Sequence, residues 1–255
     1  MTWSMKANGT ITRWQATDGT DILFPEDNIV IRKEVKLRGG APVCCPIFGP
    51  KPKTEAYEGV SLAQHGLVRA CKMDANDKPV RGNPAVWQQR PTLGNDGWFH
   101  TGFHFTHPWP HEAWVAAKAG TPKYGVEQMH HRITLGTETI YDIDMPYSLG
   151  FHPYFATKGN AYGLKCGDEA WGVHDLAVGE SMHVTKGSIM TLETIDRTIT
   201  IALTEGYNGF YVWSDAPERY VCIEPVCLAR PGADLWLYAG DAVSCACTLT
   251  YTPKT

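Results

Sequence analysis

With 255 residues, 43% of them hydrophobic, and a formal net charge of −4, the chain can bury a large core and lacks the basic footprint of a nucleic-acid binder. No apolar run approaches bilayer-spanning length, so no membrane partner is expected, and MTWSMKANGT has no apolar signal stretch, which points to a cytoplasmic protein. No linker, charge run or repeat divides the sequence, so residues 1–255 are read as one domain.

Taken in chain order, IVIRKEVKL (29–37) is the first clear alternating run and predicts a strand. It leads into LRGGAPVCCPIFGP (37–50), where Arg38 precedes two glycines. Arginine offers planar, bidentate recognition of anions; a tight turn beside a solvated arginine accounts for the segment equally well. QHGLVRA (64–70) holds His65 and Arg69 around Gly66. If the segment is extended, residues 65 and 69 share a face and can line one pocket; otherwise they are a loop histidine and a surface arginine. WFHTGFHFTH (98–107) reads as a strand. HEAWVAAKAG (111–120) is the best helix candidate, with Pro110 before it and Gly120 to end it.

LGFHPYF (149–155) sets His152 among aromatics and before a proline, which biases it towards an extended backbone. It is either a proton donor beside a ring-shaped ligand, with the aromatics as a stacking wall, or a buried, hydrogen-bonded strand end. TITIALTEG (198–206), GFYVWSD (209–215) and RYVCIEPV (219–226) are further strands. Glu224 closes an apolar run and shares a face with Cys222 and Tyr220, so it is paired, tuned, or simply at an exposed strand end. AVSCACTLTY (242–251) alternates throughout. More than ten such runs imply an all-β sandwich or barrel.

The eight cysteines include no C-x-x-C pair and, without a secretion signal, are read as small core hydrophobes, not disulfides. His107, His111, His130 and His131 have no zinc spacing to a cysteine or carboxylate, so no metal is expected.

In order, R-G-G-x-P, H-G-x-x-R, G-F-H-P-Y-F, C-I-E-P and Ala239-Gly240-Asp241 resemble the aldose 1-epimerase (mutarotase) superfamily from about Leu37 to Tyr251. LRGGAPVCCPIFGP with HGLVR looks closest to the branch that includes the hexose-6-phosphate mutarotases. The resemblance implies the galactose-mutarotase-like β-supersandwich, a sugar or sugar-phosphate substrate, and no cofactor. It implies Glu224 as base, His152 as acid, and His65 as hydrogen-bond donor near the ring oxygen. The pair is then expected with Glu224 ionised and His152 protonated. Arg38 and Arg69 become candidates for gripping sugar or phosphate, and Asp196 in ETIDRTITI is the best match to a sugar-binding aspartate, with Asp168 and Asp175 as rivals. Leu67-Val68 and Cys44-Cys45 depart from the commoner family residues and point to altered sugar specificity. A non-catalytic sugar-binding module on the same fold and a polysaccharide-active enzyme are the other readings.

Overall fold

Buried and outward positions alternate along most strands. In Glu127–Gly136 the residues Glu127, Met129, His131, Ile133 and Leu135 point inward, while Gln128, His130, Arg132 and Thr134 point out. The computed structural model describes residues 1–71, 85–105, 108–121, 125–137, 143–159 and 161–254, with the backbone alone over 85–91. His107 lies outside these residues.

Nine antiparallel strands form one sheet in the order Glu169–Gly172, Gly163–Cys166, Ile189–Glu193, Arg197–Glu205, Ala242–Pro253, Glu127–Gly136, His111–Ala119, Phe99–Phe105 and Ala85–Leu93. The second sheet runs Ser181–Val184, Gly209–Trp213, Tyr220–Cys227, Leu149–Phe151 and Val43–Cys44, with Tyr154–Ala156 also pairing with Tyr220–Cys227. A single apolar cluster joins Phe103, Val115, Ile133 and Leu249 of the large sheet to Phe151, Phe210, Val212, Val221 and Ile223 of the smaller one. Across it the His131 and Phe151 rings stack with centroids 3.7 Å apart. The expected all-β sandwich is therefore the observed fold.

Two expectations about elements fail. HEAWVAAKAG is not a helix: His111–Ala119 is an interior strand of the large sheet. Its alanines favour a helix locally. Ala113, Val115 and Ala117 nevertheless alternate with Glu112, Trp114 and Lys118, and ladders on both sides satisfy its backbone. Tertiary pairing overrides propensity here.

IVIRKEVKL is likewise not one strand: it turns at Arg32 and Lys33, and the resulting hairpin, Asp27–Ile31 with Glu34–Arg38, lies on the smaller sheet's other face. Ile29 and Ile31 anchor it on Tyr154, Ala216, Tyr220 and Cys222. Between hairpin and sheet a cleft opens.

Candidate active site

The strand Tyr220–Cys227 sets the floor of the cleft. Its period of two sends Val221 and Ile223 into the core and turns Cys222 and Glu224 the other way. Glu224 lies mid-strand and buried, which corrects the exposed strand-end reading. His152 follows Leu149–Phe151, its backbone N–H donating to the Pro42 carbonyl over 2.9 Å. Its Nε2 lies 3.3 Å from Glu224 Oε1, and both side chains are about 5% exposed or less. Of the aromatics in LGFHPYF, Tyr154 alone serves as the wall, stacked on His152 at 4.8 Å; Phe151 and Phe155 go into the core.

QHGLVRA is not extended. Gly66–Ala70 is one helical turn, entered through His65 at φ 66°. Residues 65 and 69 still converge, because i and i+4 meet on a helix as i and i+4 do on a strand. Gly66 has φ +81°, and a Cβ there would stand 2.3 Å from the Cys45 carbonyl oxygen. That oxygen accepts the N–H groups of Leu67 and Val68, which pins the turn against the sheet. Leu67 and Val68 pack in the core, so their departure from the family residues does not alter the cleft wall. His65 Nδ1 accepts the Gly49 N–H over 3.2 Å, and the ring lies 5.1 Å from His152. In the neutral imidazole the proton is then on Nε2, a donor for the cleft.

The two arginines have different surroundings. Arg69 is sunk beside the pair: its Nη2 donates to Tyr154 Oη over 3.3 Å, while Nη1 is buried without a protein partner. Arg38 lies over Trp213, 5.3 Å from the ring centre, and is bound by Asp215 at 2.8 Å. Asp215 also accepts from Tyr220 Oη.

Burial works against charging either member of the pair. Burial raises the Glu224 carboxyl to about 8, with Arg69 pulling the other way. Burial, Arg69 and then His65 push His152 well below the usual imidazole value. Burial and then Arg69 lower His65 to about 3. Both directions favour a neutral carboxyl and a neutral imidazole over an ionised Glu224 beside a charged His152. The cause is that a buried neutral pair avoids two desolvated charges.

The cleft, about 750 Å³, is lined by these groups and by Phe48, Tyr211, Trp213 and the cations Arg32 and Lys36. Asp196 does not reach it. It caps the turn between Ile189–Glu193 and Arg197–Glu205 through Thr194, and the buried neighbour in Thr194-Ile195-Asp196-Arg197 is Arg197, which donates to the Asp21 and Ala156 carbonyls. Asp168 sits in the turn between Gly163–Cys166 and Glu169–Gly172, and Asp175 bonds the Gly172 N–H; neither lines the cleft. The aspartate that does is Asp215, which sequence reasoning missed. GFYVWSD carried a partial signal, since Tyr211 and Trp213 alternate with Phe210 and Val212 and so had to face away from the core. His111 and His131, once weighed as ligands, are buried and neutral, the latter with neither ring nitrogen partnered. Among the described residues the grouped potential metal donors are His152, Cys222 and Glu224.

No family model matches the chain. One curated relative, named "Putative glucose-6-phosphate 1-epimerase", from Cenchrus ciliaris, is 30% identical over 80 residues. That stretch is 31% of this chain and 22% of the relative, so the match spans about a fifth of its length. A galactose mutarotase-like protein from Lactobacillus casei ATCC 334 superposes with a TM-score of 0.72 at 15% identity, covering 98% of this chain and 96% of that one. The Slr1438 protein from Synechocystis sp. PCC 6803 gives 0.66 at 19% identity, over 99% and 91%. The chain therefore has the galactose mutarotase-like fold.

Proposed function

We propose that this chain is an aldose 1-epimerase acting on a hexose, with a hexose 6-phosphate as the preferred form. The observation that carries the reading is the buried His152–Glu224 pair, 3.3 Å apart, on the floor of a cleft large enough for a pyranose. Anomer exchange needs one acid, one base and no redox step. Transfer of the shared proton from Glu224 to His152 arms both. Glu224 then takes the C1 hydroxyl proton while His152 protonates the ring oxygen. The C1–O5 bond breaks, the aldehyde turns about C1–C2, and the steps reverse to close the other anomer. His65 Nε2–H and the unpartnered Arg69 Nη1 are donors for oxygens that gain charge on the way. Trp213 and Tyr211 give flat apolar walls.

Support for the 6-phosphate comes from the mouth of the cleft. Arg38 is already matched by Asp215; Lys36, paired with the exposed Glu34 over 3.1 Å, and Arg32, bonded to the Val178 carbonyl, add two further cations there. An anionic substrate would also raise His152 towards its charged form. The unpaired thiols suit a reducing, cytoplasmic setting.

NMR exchange measurements on glucose, galactose and glucose 6-phosphate test the reading. Anomer exchange well above the spontaneous rate is expected, fastest for the phosphate. Saturable sugar binding without faster exchange would leave a binding module instead. Lys36→Ala should raise the KM for glucose 6-phosphate roughly tenfold, the equivalent of about 1.4 kcal/mol, and leave glucose unchanged; equal effects on both sugars would remove the phosphate from the proposal.

A further inference from the structure

Cys222 stands two residues before Glu224 on the same face of its strand, and nothing in the proton chemistry above uses it. Its thiol, a Glu224 carboxylate oxygen and a His152 ring nitrogen all lie within 4.8 Å of one another, and all three side chains are buried. They come from separate positions, two from Tyr220–Cys227 and one from the end of Leu149–Phe151, and two backbone ladders hold these segments in register: Gly150 opposite Val226 and Tyr154 opposite Cys222. His152 also keeps Nδ1 buried without a protein partner.

We propose that His152, Cys222 and Glu224 form a site for a thiophilic divalent cation, zinc above all, whose occupation blocks the reaction centre. One sulfur, one imidazole and one carboxylate are a donor set that zinc accepts, at distances of roughly 2.0–2.3 Å. Donors around such an ion stand roughly 3.5 Å apart, so a group spread over 4.8 Å or less has to draw in by about 1.3 Å at most. His152 is fixed by its stack on Tyr154, and the adjustment falls to Cys222 and Glu224. His152 and Glu224 line the cleft, the side from which the ion and a fourth ligand, water or a sugar hydroxyl, would enter.

Arg69 faces the same spot, and at first sight its charge repels a cation. The balance of charge removes that objection. Without metal, the histidine and carboxyl share one proton and the thiol holds another. Both protons leave as the divalent ion enters, so the net charge beside Arg69 is unchanged. Zinc here is an inhibitor and not a cofactor, because it engages the acid and the base together. That inhibitory consequence rests on the function proposed above; the site itself does not.

Cobalt(II) titration of the folded, tag-free protein tests the site without reference to activity. One equivalent should produce a near-ultraviolet sulfur-to-cobalt charge-transfer band that zinc abolishes. Cys222→Ser should remove the band, His152→Gln should weaken cobalt binding, and Cys44→Ser should leave the band intact. Absence of the band in the wild-type protein, or its persistence in Cys222→Ser, overturns the proposal. In the exchange assay zinc should suppress turnover and a chelator restore it, with Cys222→Ser requiring at least about tenfold more zinc. Equal sensitivity of that variant and the wild type would also overturn it. A protein with the cobalt band and no exchange activity would refute the mutarotase reading and keep the site.

Discussion

At the scale of single residues, Glu224 is where burial and chemistry meet. Its carboxyl is raised to about 8 by burial, so the folded state favours the protonated form. The stability this gives is present in full below the unfolded value and is lost as pH rises through about 8. Glu224→Gln keeps the shape and removes the base. We expect turnover to fall of order 10²-fold or more and sugar binding to persist. The wild type's loss of stability on going from neutral to mildly alkaline buffer should flatten in the same variant. Near-normal turnover would refute the assignment. In the wild-type protein the pair works with one proton, so kcat/KM should decline above about pH 8 as that proton leaves. His65, His152, Arg38, Arg69 and Glu224 were legible in the sequence because each sits inside a short motif. Asp215 was not, since a lone aspartate after a strand has no local signature; only folding brings it to Arg38. Asp196 misled for the converse reason: Ile195-Asp196-Arg197 looks like a motif, yet its arginine is the buried, structural member.

At the scale of elements, the strands were legible wherever alternation was clean, as in Ala242–Pro253 and Arg197–Glu205. Two elements depart from their local signals for opposite reasons. His111–Ala119 has helix-favouring residues and is claimed by neighbouring ladders. Gly66–Ala70, an extended segment or a loop on local grounds, is helical, because Gly66 at positive φ lets the turn start directly under the Cys45 carbonyl. Gly66→Ala therefore puts a Cβ into backbone at a conformation that alone costs about 1–3 kcal/mol. The turn that carries His65 and Arg69 should shift. A lower melting temperature together with reduced sugar affinity is expected, and a variant unchanged in both would contradict this account. The hairpin Asp27–Ile31 with Glu34–Arg38 bears Val30, Val35 and Leu37 on its exposed face, while Lys36 and Arg38 face the cleft. Its turn residues, Arg32 and Lys33, both adopt positive φ without being glycine or asparagine, which is why no turn signal marked it.

At the scale of the whole molecule, histidine burial should set how stability falls in acid. His131 is lowered to about 3 and His111 to about 4, both by burial first, and His65 and His152 are lowered as well. Each is neutral when folded and takes a proton when unfolded near pH 6.5, a value typical of free imidazole. Stability is therefore held above that pH and lost as pH falls below it, by up to about 1.4 kcal/mol per pH unit for each group. Glu224 opposes this with the reverse sign but is one group against four. Urea unfolding midpoints should drop steeply on going from neutral to mildly acidic buffer. His131→Leu, which removes the histidine stacked on Phe151 between the sheets, should make that drop shallower. An equal pH dependence in variant and wild type would exclude His131 as a contributor.

The eight cysteines are all free and all buried, and that makes the chain its own recorder of breathing motions. Only a thiolate in contact with solvent attacks a disulfide reagent, so the native molecule should react slowly and the denatured one at all eight positions. Under excess reagent, each thiol's modification rate then measures how often its surroundings open. Cys166, Cys245 and Cys247 sample the large sheet, and Cys44, Cys222 and Cys227 the smaller one. Cys227, slightly exposed and held below the usual thiol range by a hydrogen bond from Cys245, should be modified first. Mass mapping of a time course would order the openings, and uniform labelling of all eight would mean that the two sheets come apart in one concerted event.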